Sequence, residues 1–237
     1  FFTNKGRVYW RRAYEIPQAS RQAKGKAIVN LLALAQDETI ASFLQVPEFD
    51  DKHFVLMVTK NGVVKKTNLT AYSNPRQTGI HAIRLKDKDT LIDCKLTSGK
   101  DEIFLATQQG KAIRFNEKQA RDMGRTASGV RGIRLAKKDE VIAAEIVDPK
   151  ATILTVTSQG FGKRTKFQDY RLQSRGGKGI INTKVTAKNG YVVNVLAVSD
   201  QDEIIIVTAG SMVVRIPVNQ IRTVGRNTQG VRVIKLK

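Results

Sequence analysis

The chain of 237 residues has one cysteine, two histidines and five prolines. With Cys94 alone no internal disulfide can form, which excludes the stapled scaffolds of small secreted proteins and makes a reducing cytoplasm the expected compartment. His53 and His81 stand at no metal-ligand spacing with Cys94. Asp87, Asp89 and Asp93 lie close together, but they lack the spacing and closing Glu of a calcium loop and read as a turn before a strand. No catalytic residue, metal or cofactor is therefore expected. No apolar stretch approaches the roughly 18–20 residues of a membrane span, and no signal-peptide pattern opens the chain, so no membrane partner is expected. Aromatic residues are 6%, too few to interleave with basic side chains as single-strand and RRM surfaces require. Acidic residues are also short: 21 Asp+Glu face 41 Lys+Arg, a formal charge of +20. A field of that sign attracts polyanions.

What the chain does have is repetition. Thr3, Thr59, Thr107, Thr157 and Thr208 each close an apolar run, at separations of 56, 48, 50 and 51 residues. Three residues after each comes a small residue: Gly6, Gly62, Gly110, Gly160 or Ser211. Basic residues follow, at Arg7 and Arg11, Lys65 and Lys66, Lys111 and Arg114, Lys163 and Arg164, and Arg215. Further on, every copy places an arginine ahead of a glycine: Arg21 and Gly25, Arg76 and Gly79, Arg125 and Gly129, Arg175 and Gly179, Arg226 and Gly230. A fixed period of this size marks stacked or circularly arranged supersecondary units.

The third copy is the clearest. Residues 103–107 form a short apolar run, Gln108-Gln109-Gly110 has turn chemistry, and 111–115 alternate as a half-buried strand does. Residues 116–123 read as a loop with one helical turn, 130–135 as a third strand and 141–147 as a fourth. Four strands in about 50 residues is a propeller-type blade, although the WD40 signatures are absent. The fold class is all-β, in about five modules spanning 1–49, 50–100, 101–150, 151–201 and 202–237 of one domain. Phe1-Phe2-Thr3 reads as the tail of a strand, and no apolar run like 141–147 precedes Lys237, so an excerpt of a longer polypeptide is expected.

The modules carry net charges of +3, +5, +2, +6 and +4. An excess that recurs with the period points to one continuous basic track, with duplex DNA as its partner. Phosphate contacts would make binding salt-sensitive and indifferent to sequence. The expected contacts are Lys24 and Lys26 beside Arg21; Lys65, Lys66 and Arg76; Arg114, Arg125 and Arg131; Lys163 and Arg164; and Arg215 and Arg226. Gln173-Ser174-Arg175-Gly176-Gly177-Lys178-Gly179 joins them. Its glycines would let the backbone approach a phosphate, Arg175 and Lys178 would add charge, and Gln173 would donate. The alternative is a basic loop that needs glycine only to turn. Gly-x-x-x-x-Gly-Lys-Ser/Thr occurs nowhere, which excludes a Walker A loop.

That heptapeptide resembles the box of the DNA gyrase A C-terminal domain family, Gln-Arg-Arg-Gly-Gly-Arg/Lys-Gly, with Ser174 in place of the first arginine. The resemblance extends over essentially the whole chain, including 2–9 (Phe-Thr-Asn-Lys-Gly-Arg-Val-Tyr), 25–32, 124–135, 162–165 and 224–231 (Val-Gly-Arg-Asn-Thr-Gln-Gly-Val). It implies a β-pinwheel, a propeller-like array of four-stranded blades that exchange strands with their neighbours. It also implies a basic perimeter that wraps duplex DNA, so that the parent enzyme introduces negative supercoils. The implied partners are double-stranded DNA, the DNA cleavage domain of the same subunit, and the ATPase B subunit. The first of the family's six blades, home of its best-known box, is expected to be absent. The related C-terminal domain from the topoisomerase IV counterpart of the gyrase A protein is a close alternative. A protein-interaction propeller would need acidic or apolar loops differing between copies, and an enzyme with its site in a propeller channel would need convergent carboxylates or histidines.

Overall fold

A computed structural model describes residues 1–237 except Arg21, Pro75 and Lys237. The Thr-x-x-Gly signature is a tight turn. Thr107 closes it twice: its carbonyl accepts the Gly110 N–H at 3.0 Å and its hydroxyl accepts the Lys111 N–H at 3.1 Å. Thr3 and Thr208 do the same. Gly110 has φ +76°, a conformation open to glycine at no steric cost. The fifth copy forces Ser211 into the same region, at φ +61°.

The strands are short. The first repeat supplies β1 (Phe2–Thr3), β2 (Arg7–Val8) and β3 (Ile40–Ser42), and the second β4 (Phe54–Thr59), β5 (Val63–Asn68), β6 (Ile80–His81) and β7 (Leu91–Thr97). From the third come β8 (Glu102–Thr107), β9 (Lys111–Asn116), β10 (Val130–Arg131) and β11 (Val141–Ile146). The fourth gives β12 (Thr152–Thr157), β13 (Phe161–Lys166), β14 (Ile180–Ile181) and β15 (Val192–Val198), and the fifth β16 (Glu203–Val207), β17 (Val213–Pro217) and β18 (Val231–Arg232). Four four-stranded sheets result, ordered β3-β1-β2-β6, β10-β5-β4-β7, β11-β8-β9-β14 and β15-β12-β13-β18. Among the described residues the fifth sheet is the pair β16-β17.

The all-β fold and the blades are as the sequence predicts, but the third strand is not. The stretch 130–135 is a two-residue strand, and β10 pairs with β5 of the preceding repeat rather than with β9. Likewise β6, β14 and β18 each complete the sheet of the repeat before their own. This is the strand exchange that the family resemblance implies. The turn glycine anchors it: the Gly110 carbonyl accepts the N–H groups of Asn182 and Thr183 at 2.8 and 3.2 Å. The carbonyls of Gly6, Gly62 and Gly160 accept from 82 and 83, 132 and 133, and 233 and 234 in the same manner.

The expected helical turn is a 3-10 turn at Glu117–Gln119, where the Asn116 side chain accepts the Lys118 N–H. Equivalent turns lie at Leu69–Tyr72, Phe167–Asp169 and Val218–Gln220. They carry aromatic and aliphatic side chains into the core. Phe104, fully buried, meets Phe167 and Tyr170 edge-on at 5.8 and 4.8 Å between ring centroids, a favoured aromatic geometry. Two compact units can be distinguished by internal contacts, one of Phe1–Thr59, Val63–Gly99 and Arg121–Val130, the other of Lys60–Gly62, Lys100–Ala120 and Arg131–Lys237.

Candidate nucleic-acid interface

Successive residues of a strand face opposite ways, and this divides the basic residues predicted as contacts. Lys65 and Lys163, at 0% and 1% exposure, point inward. The Lys65 ammonium donates to the carbonyls of Ala82 and Arg125 at 2.6 and 3.0 Å. Lys163 donates to those of Asn182 and Gly225 at 2.7 and 3.0 Å, and to that of Arg226. Burial pushes both amines down to about 8. Each therefore ties its own repeat to the arginine-glycine loop of the next, and neither is open to a phosphate, contrary to expectation.

Their strand neighbours are also engaged. Lys66 is buried with its ammonium 5.0 Å from the centre of the Phe54 ring. Arg164, buried, donates from Nε to the Ile221 carbonyl at 2.7 Å and pairs with Asp200. The half-buried Arg114 donates to Glu102 at 2.5 Å and to the carbonyls of Phe167 and Tyr170 at 2.9 and 3.2 Å. Arg215 is exposed but paired with Glu203. Arg114 and Arg164 thus hold the 3-10 turn of the next repeat in place.

The box is a latch. Arg175, half-buried, donates from Nε to the Gln119 carbonyl at 3.1 Å and from Nη1 to the Arg131 carbonyl. One repeat on, Arg226 makes the equivalent bond to the Ile181 carbonyl, at 2.8 Å. Both hold the exchanged strand of the preceding repeat. Arg125 is half-buried, and its carbonyl receives Lys65. The Gly176 N–H donates to Gly132, and the Gly177 carbonyl accepts the Arg134 N–H. Gly179, at φ +68°, passes so near β9 that a β-carbon on it would lie 2.5 Å from the Ala112 carbonyl oxygen. Its glycine thus serves close backbone passage rather than approach to a phosphate. Gln173 donates its backbone N–H to the Arg114 carbonyl at 2.8 Å, and its Nε2 is buried without an acceptor among the described residues.

Of the predicted contacts, Lys24, Lys26, Arg76, Arg131 and Lys178 are exposed with no ion pair among the described residues, and Arg21 lies outside the described residues. Sequence reasoning missed three further sets, all exposed: Arg84, Arg134 and Lys184; Lys88, Lys138 and Lys188; Arg121, Arg171 and Arg222. The backbone places the first set equivalently, because the N–H groups of Arg84, Arg134 and Lys184 donate to Ala127, Gly177 and Thr228 of the following repeat at 3.1, 2.8 and 3.1 Å. Their spacing of 50 residues was a readable signal.

The model of the family described as DNA gyrase C-terminal domain, beta-propeller, matches the chain in five segments, 1–47, 53–98, 101–148, 151–199 and 202–237. The DNA gyrase A protein of Salmonella typhimurium is 48% identical over 99% of this chain and 27% of its own length. That of Halalkalibacterium halodurans is 52% identical over 100% of this chain and 28% of its own. The chain thus spans little more than a quarter of these relatives. Among solved structures, a DNA topoisomerase IV C-terminal domain matches with TM-score 0.90 and 29% identity, covering 99% of this chain and 73% of that one. A DNA gyrase A C-terminal domain matches with TM-score 0.87 and 26% identity, covering 100% and 77%. Five repeats, exchanged strands and these likenesses agree, and the chain belongs to the DNA gyrase C-terminal domain, beta-propeller, family.

Proposed function

We propose that the chain binds duplex DNA through its phosphates, bends it and wraps it, as the non-catalytic accessory domain of a type II topoisomerase that introduces negative supercoils. The observation that carries this reading is the recurrence of exposed cations at equivalent places in successive repeats, Arg84, Arg134 and Lys184 foremost. Family membership supports it, since the relatives are DNA gyrase A proteins. Smooth bending of a 20–30 base-pair site costs about 1–6 kcal/mol, so several repeats must hold one duplex together. In the parent enzyme the partners would be the DNA cleavage domain of the same subunit, together with the ATPase B subunit, in the cytoplasm. No helix among the described residues is long and apolar enough to cross a membrane.

The fit to the topoisomerase IV domain favours a second reading, in which the domain bends DNA without chiral wrapping. One experiment separates the two. Relaxed circular DNA is incubated with the protein, treated with topoisomerase I, and resolved by linking number. A shifted distribution is the expected result; binding without a shift would support the topoisomerase IV reading, and no binding would reject both.

A further inference from the structure

A cavity of about 320 Å3 lies where the third repeat meets the fourth. Lys111 at the start of β9, Arg134 beyond the exchanged strand, and Lys178 of the box all line it, over an apolar floor that includes the buried Ile133. All three cations are exposed, and none forms an ion pair among the described residues. Asp139 also lines the cavity, but its Oδ1 accepts the backbone N–H groups of Gln109 and Glu140, each at 2.9 Å.

The backbone under the cluster is fixed. The Arg134 N–H donates to the Gly177 carbonyl at 2.8 Å, and Ile181 pairs with Lys111 across the β9–β14 ladder. Strand exchange thus brings two cations of one repeat against a third from the next. The neighbouring junctions lack this. Where the second repeat meets the third, the equivalent residues are Val63, Arg84 and Ser128; where the fourth meets the fifth they are Phe161, Lys184 and Gln229. Each retains one cation where this junction has three.

We propose that the Lys111–Arg134–Lys178 cleft is a phosphate seat, gripping the backbone of duplex DNA at one fixed point of the basic track. A planar guanidinium can bind two phosphate oxygens at once while two ammonium groups add point charges, and the apolar floor strengthens their field. This assignment rests on the duplex-binding reading. It gives the box a role through Lys178, while Arg175 holds the loop.

The test is fluorescence anisotropy of a labelled duplex, titrated at several salt concentrations. It compares the triple variant Lys111→Ala, Arg134→Ala, Lys178→Ala with a control of equal charge loss at exposed sites, Lys52→Ala, Lys118→Ala, Lys166→Ala. In the first triple, affinity at about 0.1 M salt is expected to fall tenfold or more, and the log–log salt slope to become shallower by about 2–3, with smaller changes in the control. Equal effects of the two triples would overturn the seat and leave duplex binding standing. A native protein that binds no duplex would instead overturn the underlying reading. Should the first triple fail to fold, Lys178→Ala against Lys166→Ala decides on the same terms.

Discussion

A single methyl group tests the latch. Gly179 and Gly25 share a left-handed backbone, at φ +68° and +71°, but only Gly179 has the Ala112 carbonyl against it, while Gly25 has open space. Gly25→Ala should cost about 1–2 kcal/mol, the ordinary penalty for an L-residue in that region. Gly179→Ala adds a backbone collision and should cost more than about 3 kcal/mol. Urea midpoints of the two variants measure the difference, and equal losses would mean that β9 gives way. A second test concerns Lys163, whose amine is pushed from 10.5 down to about 8 by burial. Between those values the unfolded chain holds a proton that the folded chain has released, so this contribution to stability grows as pH rises. Lys163→Met removes it. From about pH 7.5 to about pH 10, the stability of the native protein should climb relative to the variant by on the order of 1–3 kcal/mol. Parallel profiles would refute the buried-charge assignment. The inward lysines were half legible in the sequence. Lys65-Lys66 and Lys163-Arg164 are adjacent on strands, so one of each pair had to turn away from the other, but alternation does not say which.

At the scale of the strand, the period and the alternating runs located nearly every element, because local pattern determines where a strand forms. They did not reveal partners. A two-residue strand such as β10 has no alternation to read, and its pairing is set by a carbonyl in another repeat. The Gly62 oxygen receives the Gly132 and Ile133 amides at 2.7 and 3.2 Å. One consequence can be measured. An excised third repeat, 101–150, lacks β14 for its own sheet and leaves β10 without β5. It should show no cooperative thermal transition by circular dichroism, whereas 50–200, which retains both pairings, should melt cooperatively. A sharp transition in the short piece would mean that a blade stands without its neighbours.

At the scale of the whole chain, fold class and family were open to reading, because both rest on signals that recur along its whole length. Which of the cations face solvent was not, since composition counts Lys65 and Lys178 alike although one is buried and the other exposed. The exchanged strands also bear on how the chain is made. After the last strand that a repeat gives its own sheet, β3, β7, β11 or β15, another 34 to 39 residues must be added before β6, β10, β14 or β18 is complete. At about 5–20 residues per second, a ribosome takes about 2–8 s to supply that segment. Throughout that interval the nascent chain shows an unpaired edge to other polypeptides. Each blade is therefore born open, and the speed of translation sets how long it stays so.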